Sequence, residues 1–238
     1  MKTIVGILIG TSLLGLVSCG GNKSSSPTVS QLSKEPSTEP EKEEIIIEDD
    51  HGIFKADLHP IAGDLVGQPT GSFTVSYIGE TLKFEAEVFG VASDVMHFQT
   101  IHAGSACPGD NADVNLDGVV DGVEGTASYG LSLIPVDFNL MTQIEGMEFG
   151  PIANEEGYYT YRKKVPFQSL MSDLTAEDND IEDNLVKILP EQKLKMSDRV
   201  VVIYGVSRDT VLPATFSSVG EMQGHESVPV ACGRLVRQ

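Results

Sequence analysis

Residues 71–89 read GSFTVSYIGETLKFEAEVF and contain two alternating runs joined by a Gly-Glu pair. In the first run, Phe73, Val75 and Tyr77 share one face. In the second run, apolar residues recur at every other position from 82 to 88, and charged residues alternate with them. A period of two is typical of strands that bury one face, and the short turn predicts a β-hairpin. We therefore expect an antiparallel sheet with its apolar face inward.

Beyond this hairpin, the chain carries more strand patterns than helix patterns. Further strand candidates are residues 95–101, 131–136, 158–165, 199–206 and 228–236. Val200–Tyr204 is a continuous apolar run, which fits a strand covered on both faces. Only residues 167–174 and 185–189 could each form a turn or two of helix. This pattern predicts a mainly β fold, an antiparallel sandwich or barrel with long loops and one or two short helices.

Residues 113–124 read DVNLDGVVDGVE and fit the twelve-residue calcium loop of the EF-hand type. Gly118 allows the tight turn at position six, and Val120 at position eight would pin the loop to a core. The expected calcium ligands are the side chains of Asp113, Asn115, Asp117 and Asp121, the carbonyl of Val119 and both carboxylate oxygens of Glu124. The alternative is a solvated acidic turn that binds no ion.

The sequence on either side of this loop does not favour helices. Residues 102–110 are rich in turn formers, and residues 125–130 are weak helix formers beyond one turn. A full EF-hand has an amphipathic helix on each side. We therefore expect an isolated calcium loop inserted in another fold, with a structural or adhesive calcium ion rather than a switch.

The N-terminus predicts export and lipid attachment. An almost wholly apolar run, residues 4–17, follows Met1-Lys2 and suits the core of a signal peptide. Residues 16–20 read LVSCG and resemble the lipobox of bacterial lipoproteins. That resemblance implies a signal peptide of residues 1–18, lipid modification of Cys19 and a place in the bacterial cell envelope, in the outer membrane where the host has one. An ordinary secretory signal is the alternative.

After the anchor, residues 19–50 are rich in Ser, Pro, Lys and Glu and contain little to bury. Such a segment cannot offset the entropy of ordering and predicts a flexible acidic tether. It would place the following domain roughly 30 Å from the membrane. Residues 51–238 are then expected to form a single domain that carries the calcium loop.

The charge of the chain limits its partners. There are 35 acidic and 16 basic residues, and the formal net charge is −19. Such a surface repels nucleic acids and anionic lipid heads, so a nucleic-acid partner is not expected. It attracts calcium and proteins with a basic surface, which makes calcium-dependent adhesion to a basic partner one hypothesis. The acidic segment 176–184 could hold a second cation weakly, but its irregular spacing favours a solvated loop.

Four segments resemble copper/zinc superoxide dismutases, and related CHRD-type domains, in order and spacing. They are FEAEVFGVASDVMHFQTIH (84–102), Cys107, RVVVIYG (199–205) and VACG (230–233). The resemblance implies a Greek-key β-sandwich for residues 51–238. It also implies that Cys232 is the disulfide partner of the loop cysteine Cys107.

Most of that family's metal ligands are missing here. His102 falls on a copper-ligand position, and His97 matches a structural histidine nearby. Thr100 and Tyr204 stand at two other ligand positions, and no histidine lies between His102 and His225. Copper redox chemistry needs several nitrogen ligands, so dismutase activity is not expected. The alternative is a metalloenzyme or copper-binding protein that uses His102 with His97 or His225. His97 and His102 are five residues apart, which predicts opposite faces of one strand.

The three cysteines fit an exported lipoprotein. If Cys19 carries lipid, Cys107 and Cys232 remain as an even pair in an oxidising compartment, and a structural disulfide is expected. A redox-active thiol pair is the alternative, although the chain has no Cys-x-x-Cys spacing. The sequence therefore predicts a lipid-anchored, calcium-binding envelope protein that is a non-enzymatic binding or structural module.

Overall fold

The computed structural model describes residues 51–61, 67–140, 150–177, 185–189, 192–219, 222 and 224–238, which all belong to the unit Ile45–Gln238. Several predictions lie outside these residues. They are the signal peptide (1–18), the lipid-modified Cys19, the tether (19–50) and most of the acidic segment 176–184. Within the described ranges, no helix is long and apolar enough to cross a membrane.

The described residues form a mainly β fold. The strands are β1 (Gly52–Pro60), β2 (Thr70–Ile78), β3 (Thr81–Phe89), β4 (Gln99–His102), β5 (Ser132–Pro135), β6 (Tyr158–Pro166), β7 (Val200–Tyr204), β8 (Pro229–Arg234) and β9 (Val236–Arg237). The helices are α1 (Gly122–Tyr129) and α2 (Phe167–Leu174), with 3-10 turns at Met196–Asp198 and Gly224–Glu226.

These strands pair in the order β5-β4-β7-β8-β1-β2-β3-β6, and β9 pairs with β1. All pairings between the named strands are antiparallel, and the sheet curls into a half-barrel. The predicted fold class, antiparallel and mainly β with few helices, is confirmed.

The hairpin of residues 71–89 forms as predicted. Phe73 lies opposite Ala86, Val75 opposite Phe84, and Tyr77 opposite Leu82. All six side chains are buried. Gly79 occupies the turn with φ of +62°, a conformation that glycine adopts without steric cost. Each large apolar side chain buried here contributes on the order of 1.5–3 kcal/mol, so the register is fixed by the core.

Strand β1 was not predicted. Its buried residues Phe54, Ala56 and Leu58 alternate with more exposed ones, so the period-two signal is present but short. It lies between β2 and β8 and thereby joins the two halves of the sheet. The C-terminus closes on it, because β9 pairs with its first half and the amide of Gln238 donates to the carbonyl of Ile53.

Strand β7 is covered on both faces, as its continuous apolar run predicts. Val201 and Ile203 pack in the main core, which also contains the inward side chains of the hairpin. Val200, Val202 and Tyr204 pack in a smaller core. The other buried members of the smaller core are Ile61, Phe98, Val120, Tyr129 and Cys232.

The helix predictions succeed in one place and fail in two. Helix α2 covers the predicted residues 167–174. Residues 185–189 are not helical, because Leu185 forms a bridge to Ser132 and the Ile188 amide donates to the carbonyl of Leu174. Helix α1 begins within loop 113–124 and continues to Tyr129, beyond the single turn expected there. Asp121 and Glu124 begin it with a capping box, which stabilises a helix of otherwise weak formers.

Candidate functional site

The first half of loop 113–124 is held by its own side chains. The Asp113 carboxylate accepts hydrogen bonds from the amides of Asp117 (3.1 Å) and Gly118 (2.9 Å). The Asn115 side-chain oxygen also accepts from the Asp117 amide, at 2.9 Å. Gly118 has φ of +89°, so the tight turn predicted for this glycine is present.

The second half of the loop closes back on the first. One oxygen of Asp121 caps α1 by accepting from the amides of Val123 and Glu124, both at 2.9 Å. The Glu124 carboxylate accepts from the amides of Val114 (2.9 Å) and Asn115 (3.1 Å) at the start of the loop. Its other oxygen accepts from the Asp121 amide at 3.2 Å. Asp121 and Glu124, at positions nine and twelve, are thus hydrogen-bonded to each other, and Glu124 connects the end of the loop to its start.

The loop is anchored to the core and to a distant segment. Val119 is buried in the main core and Val120 in the smaller one, so the anchoring role expected for Val120 is confirmed. The hydroxyl of Thr215 donates to Asp117, and the amide of Ser217 donates to Asp121 at 2.9 Å. These two contacts were not predicted, because residues about a hundred positions away share no spacing signal with the loop.

The loop concentrates negative charge. Asp113, Asp117, Asp121 and Glu124 bring four carboxylates into twelve residues, and none of them forms an ion pair with a cation among the described residues. Each ionised carboxylate has about four lone-pair sites. The observed hydrogen bonds use two or three of these on each carboxylate. Every carboxylate of the loop therefore keeps lone-pair capacity for a cation.

The carboxylates do not form a ready ligand shell. Across the part of the chain that the structure describes, no group of three or more His, Cys, Asp or Glu side chains is arranged to hold a metal ion. The loop carboxylates turn toward backbone amides instead. The backbone of loop 113–124 is therefore closed on itself by hydrogen bonds. The predicted ligand side chains would have to rotate to bind a cation.

The cysteine pair lies beside the loop. Cys107 and Cys232 form a disulfide with a Cα–Cα distance of 5.7 Å, so the predicted bridge is confirmed. Cys232 lies on β8, opposite Val202 of β7 and His59 of β1. The disulfide therefore ties the segment that leads into loop 113–124 to the centre of the sheet.

His102 lies in a buried polar cluster within the smaller core. Its Nδ1 donates to the carbonyl of Gly130 at 2.9 Å, so Nε2 is the acceptor. Nε2 accepts from the Tyr204 hydroxyl at 2.9 Å and from the Thr100 hydroxyl. The ring also contacts that of Tyr129, with 4.4 Å between centroids. Burial lowers the pKa of His102 to about 4, so the imidazole is neutral at physiological pH.

Thr100 and Tyr204 thus meet His102, but they bring hydroxyls where the superoxide dismutase resemblance places histidines. Burial raises the pKa of the Tyr204 and Tyr129 hydroxyls, so both stay protonated. Around His102, the cluster offers one nitrogen acceptor that already receives two hydrogen bonds. A copper centre needs several nitrogen ligands at one point, and these four side chains do not supply them.

The other two candidate histidines lie elsewhere. His97 is fully buried and stacks on Tyr159 of the main core. Its Nδ1 lies 2.9 Å from the Tyr204 carbonyl oxygen, and its Nε2 lies 2.6 Å from that of Ala92. His97 precedes β4, which begins at Gln99, so the prediction that His97 and His102 lie on opposite faces of one strand does not hold. The His97 ring packs on the main core, whereas that of His102 packs against Tyr129 and Tyr204 of the smaller core. His225 lies in the 3-10 turn Gly224–Glu226 and bonds through Nε2 to the carbonyl of Thr210.

Comparison with known proteins finds no family model and no curated protein that matches this chain.

Proposed function

We propose that this protein is a lipid-anchored, calcium-binding protein of the bacterial cell envelope and a non-enzymatic structural or binding module. The observation that carries the proposal is the closed loop 113–124, which holds four carboxylates without an ion-pair partner among the described residues. The calcium ligands would be the side chains of Asp113, Asn115, Asp117, Asp121 and Glu124 and the carbonyl of Val119.

The chemistry of the loop suits calcium among the common cations. Calcium takes six to eight oxygen ligands and tolerates irregular geometry. All the proposed ligands are oxygens, and none is a thiolate or imidazole that would favour zinc or copper. A divalent cation would also offset the repulsion between the four carboxylates. The backbone is already held by hydrogen bonds, so binding requires side-chain rotation rather than refolding of the loop.

The proposed role of calcium is structural. Asp117 and Asp121 bind Thr215 and Ser217 of a distant segment, and Val119 and Val120 insert into the two cores. A cation on the same carboxylates would therefore strengthen contacts between the loop and the rest of the domain. Residues 102–110 form no helix before the loop, so the paired helices of an EF-hand switch are missing from this side.

We also propose that the domain is related to superoxide dismutase-like sandwiches. The convergence of Thr100, His102 and Tyr204 at three ligand-like positions supports the resemblance. The same convergence counts against the copper-binding alternative, since only one of the three residues is a histidine. The acidic surface of the domain favours a basic protein as its partner.

The calcium proposal is tested by titrating purified, chelator-stripped full-length protein in detergent. We expect saturable heat of binding in calorimetry and a calcium-dependent rise in melting temperature. At a calcium concentration of about 100 times Kd, linkage predicts about 2.7 kcal/mol of added stability. Glu124→Gln should weaken calcium binding by at least the roughly 10–100-fold seen when a metal site loses an outer-shell group, because Glu124 is proposed as a direct ligand.

The matched control is Glu155→Gln, which removes one charge from an exposed turn far in sequence from the loop. This variant should bind calcium as the wild type does. Two results would contradict the proposal: no heat up to millimolar calcium, or equal loss of affinity in the two variants.

The anchor is tested separately. In cells fed labelled palmitate, the wild-type protein should incorporate label and fractionate with membranes. Cys19→Ala should remove the label and release the protein from the membrane fraction, because the acyl chains that hold it are lost. Label that persists in Cys19→Ala would show that the lipid is attached elsewhere or that the lipobox interpretation is wrong.

A further inference from the structure

The face of β2, β3 and β6 that points away from the main core carries a shallow groove of about 480 Å³. Its polar lining comes from two rows that the strand register sets, Ser72–Glu87–Thr160 and Thr74–Glu85–Arg162. Ligand sites commonly enclose roughly 300–1,000 Å³. The groove is therefore large enough for a small organic ligand or for one segment of a longer chain.

The charged groups at this groove neutralise one another. The Glu85 carboxylate accepts from the Lys83 ammonium at 2.7 Å and from Nε of Arg162 at 2.7 Å. Glu87 is the second carboxylate of the lining, so two cations face two carboxylates. Because these charges sum to zero, the groove has little attraction for a free ion. It suits a neutral polar ligand better than a charged one.

The groove also presents hydroxyl groups that are free to bind a ligand. Within the described part of the chain, the side chains of Ser72, Thr74 and Thr160 form no hydrogen bond. Each hydroxyl can donate one hydrogen bond and accept others. The Glu87 carboxylate accepts from the Tyr158 hydroxyl at 3.2 Å and keeps further lone pairs. These groups match a ligand that carries several hydroxyls of its own.

An exposed aromatic pair lies in the next row of the same face. Phe89 and Tyr158 stack with 4.8 Å between ring centroids, and Phe89 is 45% exposed. The two rings lie opposite each other, two residues along the strands from Glu87 and Thr160. At about 3.3 Å per residue, the face from Tyr158 to Arg162 is roughly 13 Å long. An apolar surface and a set of hydrogen-bonding groups are thus adjacent along one line.

We propose that this groove binds a neutral oligosaccharide. A sugar ring has an apolar face of C–H groups and a rim of hydroxyls. Its apolar face can therefore pack on Phe89 while hydroxyls of the same chain bond to Ser72, Thr160 and Glu87. The length of the groove fits several linked rings rather than one. An acidic polysaccharide is less suited, because the protein chain carries a formal net charge of −19.

Binding is tested by calorimetry on the full-length protein in a detergent without a sugar headgroup. The probes are the neutral hexasaccharides cellohexaose, maltohexaose and chitohexaose, with hexagalacturonate as the acidic comparison. We expect saturable binding of at least one neutral probe and no measurable binding of hexagalacturonate. Added salt should leave the affinity for the neutral probe unchanged, because salt screens only charged interactions. Chelator should also have no effect, so the result is separate from that of the calcium titration.

Two variants test the groove itself. Phe89→Ala removes the exposed ring and should weaken hexasaccharide binding by roughly tenfold. Thr160→Val replaces the hydroxyl by a methyl group of similar size and should weaken binding by roughly 2–10-fold, the effect of one lost hydrogen bond. The matched controls are Ile78→Ala and Thr81→Val, at exposed positions of the same hairpin outside the groove. Both should keep the wild-type affinity, and the melting temperature of each variant identifies any loss of folding.

Three outcomes would overturn this assignment. One is the absence of saturable binding of all three neutral hexasaccharides up to millimolar concentration. Another is binding that Phe89→Ala and Thr160→Val weaken no more than their controls do, because the sugar would then lie elsewhere. The last is hexagalacturonate binding more tightly than the neutral probes and losing affinity with salt, which would make the site one for anions.

Discussion

Replacing both Cys107 and Cys232 by serine should lower the free energy of unfolding by about 3–5 kcal/mol. The disulfide closes a loop with a sequence separation of 125 residues, and the entropy that such a bridge removes from the unfolded chain grows with loop length. Each kcal/mol shifts the melting temperature of a domain of this size by about 2–4 °C. We therefore expect a drop of roughly 6–20 °C.

The measurement is a thermal unfolding scan by circular dichroism. Reductant provides an internal control: it should lower the melting temperature of the wild type to that of the double variant and leave the double variant unchanged. If the wild type unfolds at the same temperature with and without reductant, the bridge does not stabilise this domain.

Lowering the pH from 6.5 to 4 should cost the wild type about 3 kcal/mol of stability through His102 alone. The pKa of this buried side chain is about 4 in the folded protein, against about 6.5 in an unfolded chain. The unfolded state therefore takes up the proton first as the pH falls. The contribution of His102 to the free energy of unfolding is therefore constant above pH 6.5, decreases between pH 6.5 and 4, and is constant again below pH 4.

Carboxylates titrate in the same window, so the effect has to be isolated by a variant. His102→Gln removes the titrating group, and its stability should fall less steeply than that of the wild type between pH 6.5 and 4. His59→Gln, at an exposed position of β1, is the matched control for the loss of a histidine side chain. Denaturant unfolding at several pH values provides the measurement. If the free energy of unfolding depends on pH in the same way in the wild type and in His102→Gln, His102 is not a buried neutral imidazole in the folded protein.

Elements with a local pattern were predictable from the sequence. The hairpin β2–β3 and strand β7 follow from alternation and from a continuous apolar run, which each depend on neighbouring residues only. Strand β1 has the same signal but only three inward residues, one of them the small Ala56. Residues 185–189 have an apolar pattern that suits helix or strand, and contacts with Ser132 and Leu174 decide against the helix.

The candidate site also contains contacts that the sequence predicts and contacts that only the fold creates. The proposed calcium ligands lie within twelve consecutive residues, so their spacing can be read directly. The spacing predicts Asp121 and Glu124 as ligands, and in the structure the same Asp-x-x-Glu spacing is a capping box that begins α1. Thr215, Ser217 and Tyr129 meet the loop or His102 only through folding. Sequence spacing carries no information about such contacts.

The pairing of β9 with β1 brings the last residue beside the first residues of the sheet. The amide of Gln238 bonds to Ile53, and Arg237 bonds to the carbonyl of His51. Residues 51 and 238 are close enough to be joined by a short linker, and new ends can be opened in an exposed turn such as the one at Glu155 and Glu156. A circular permutant of residues 51–238 should therefore keep the fold and would present loop 113–124 from a different attachment point.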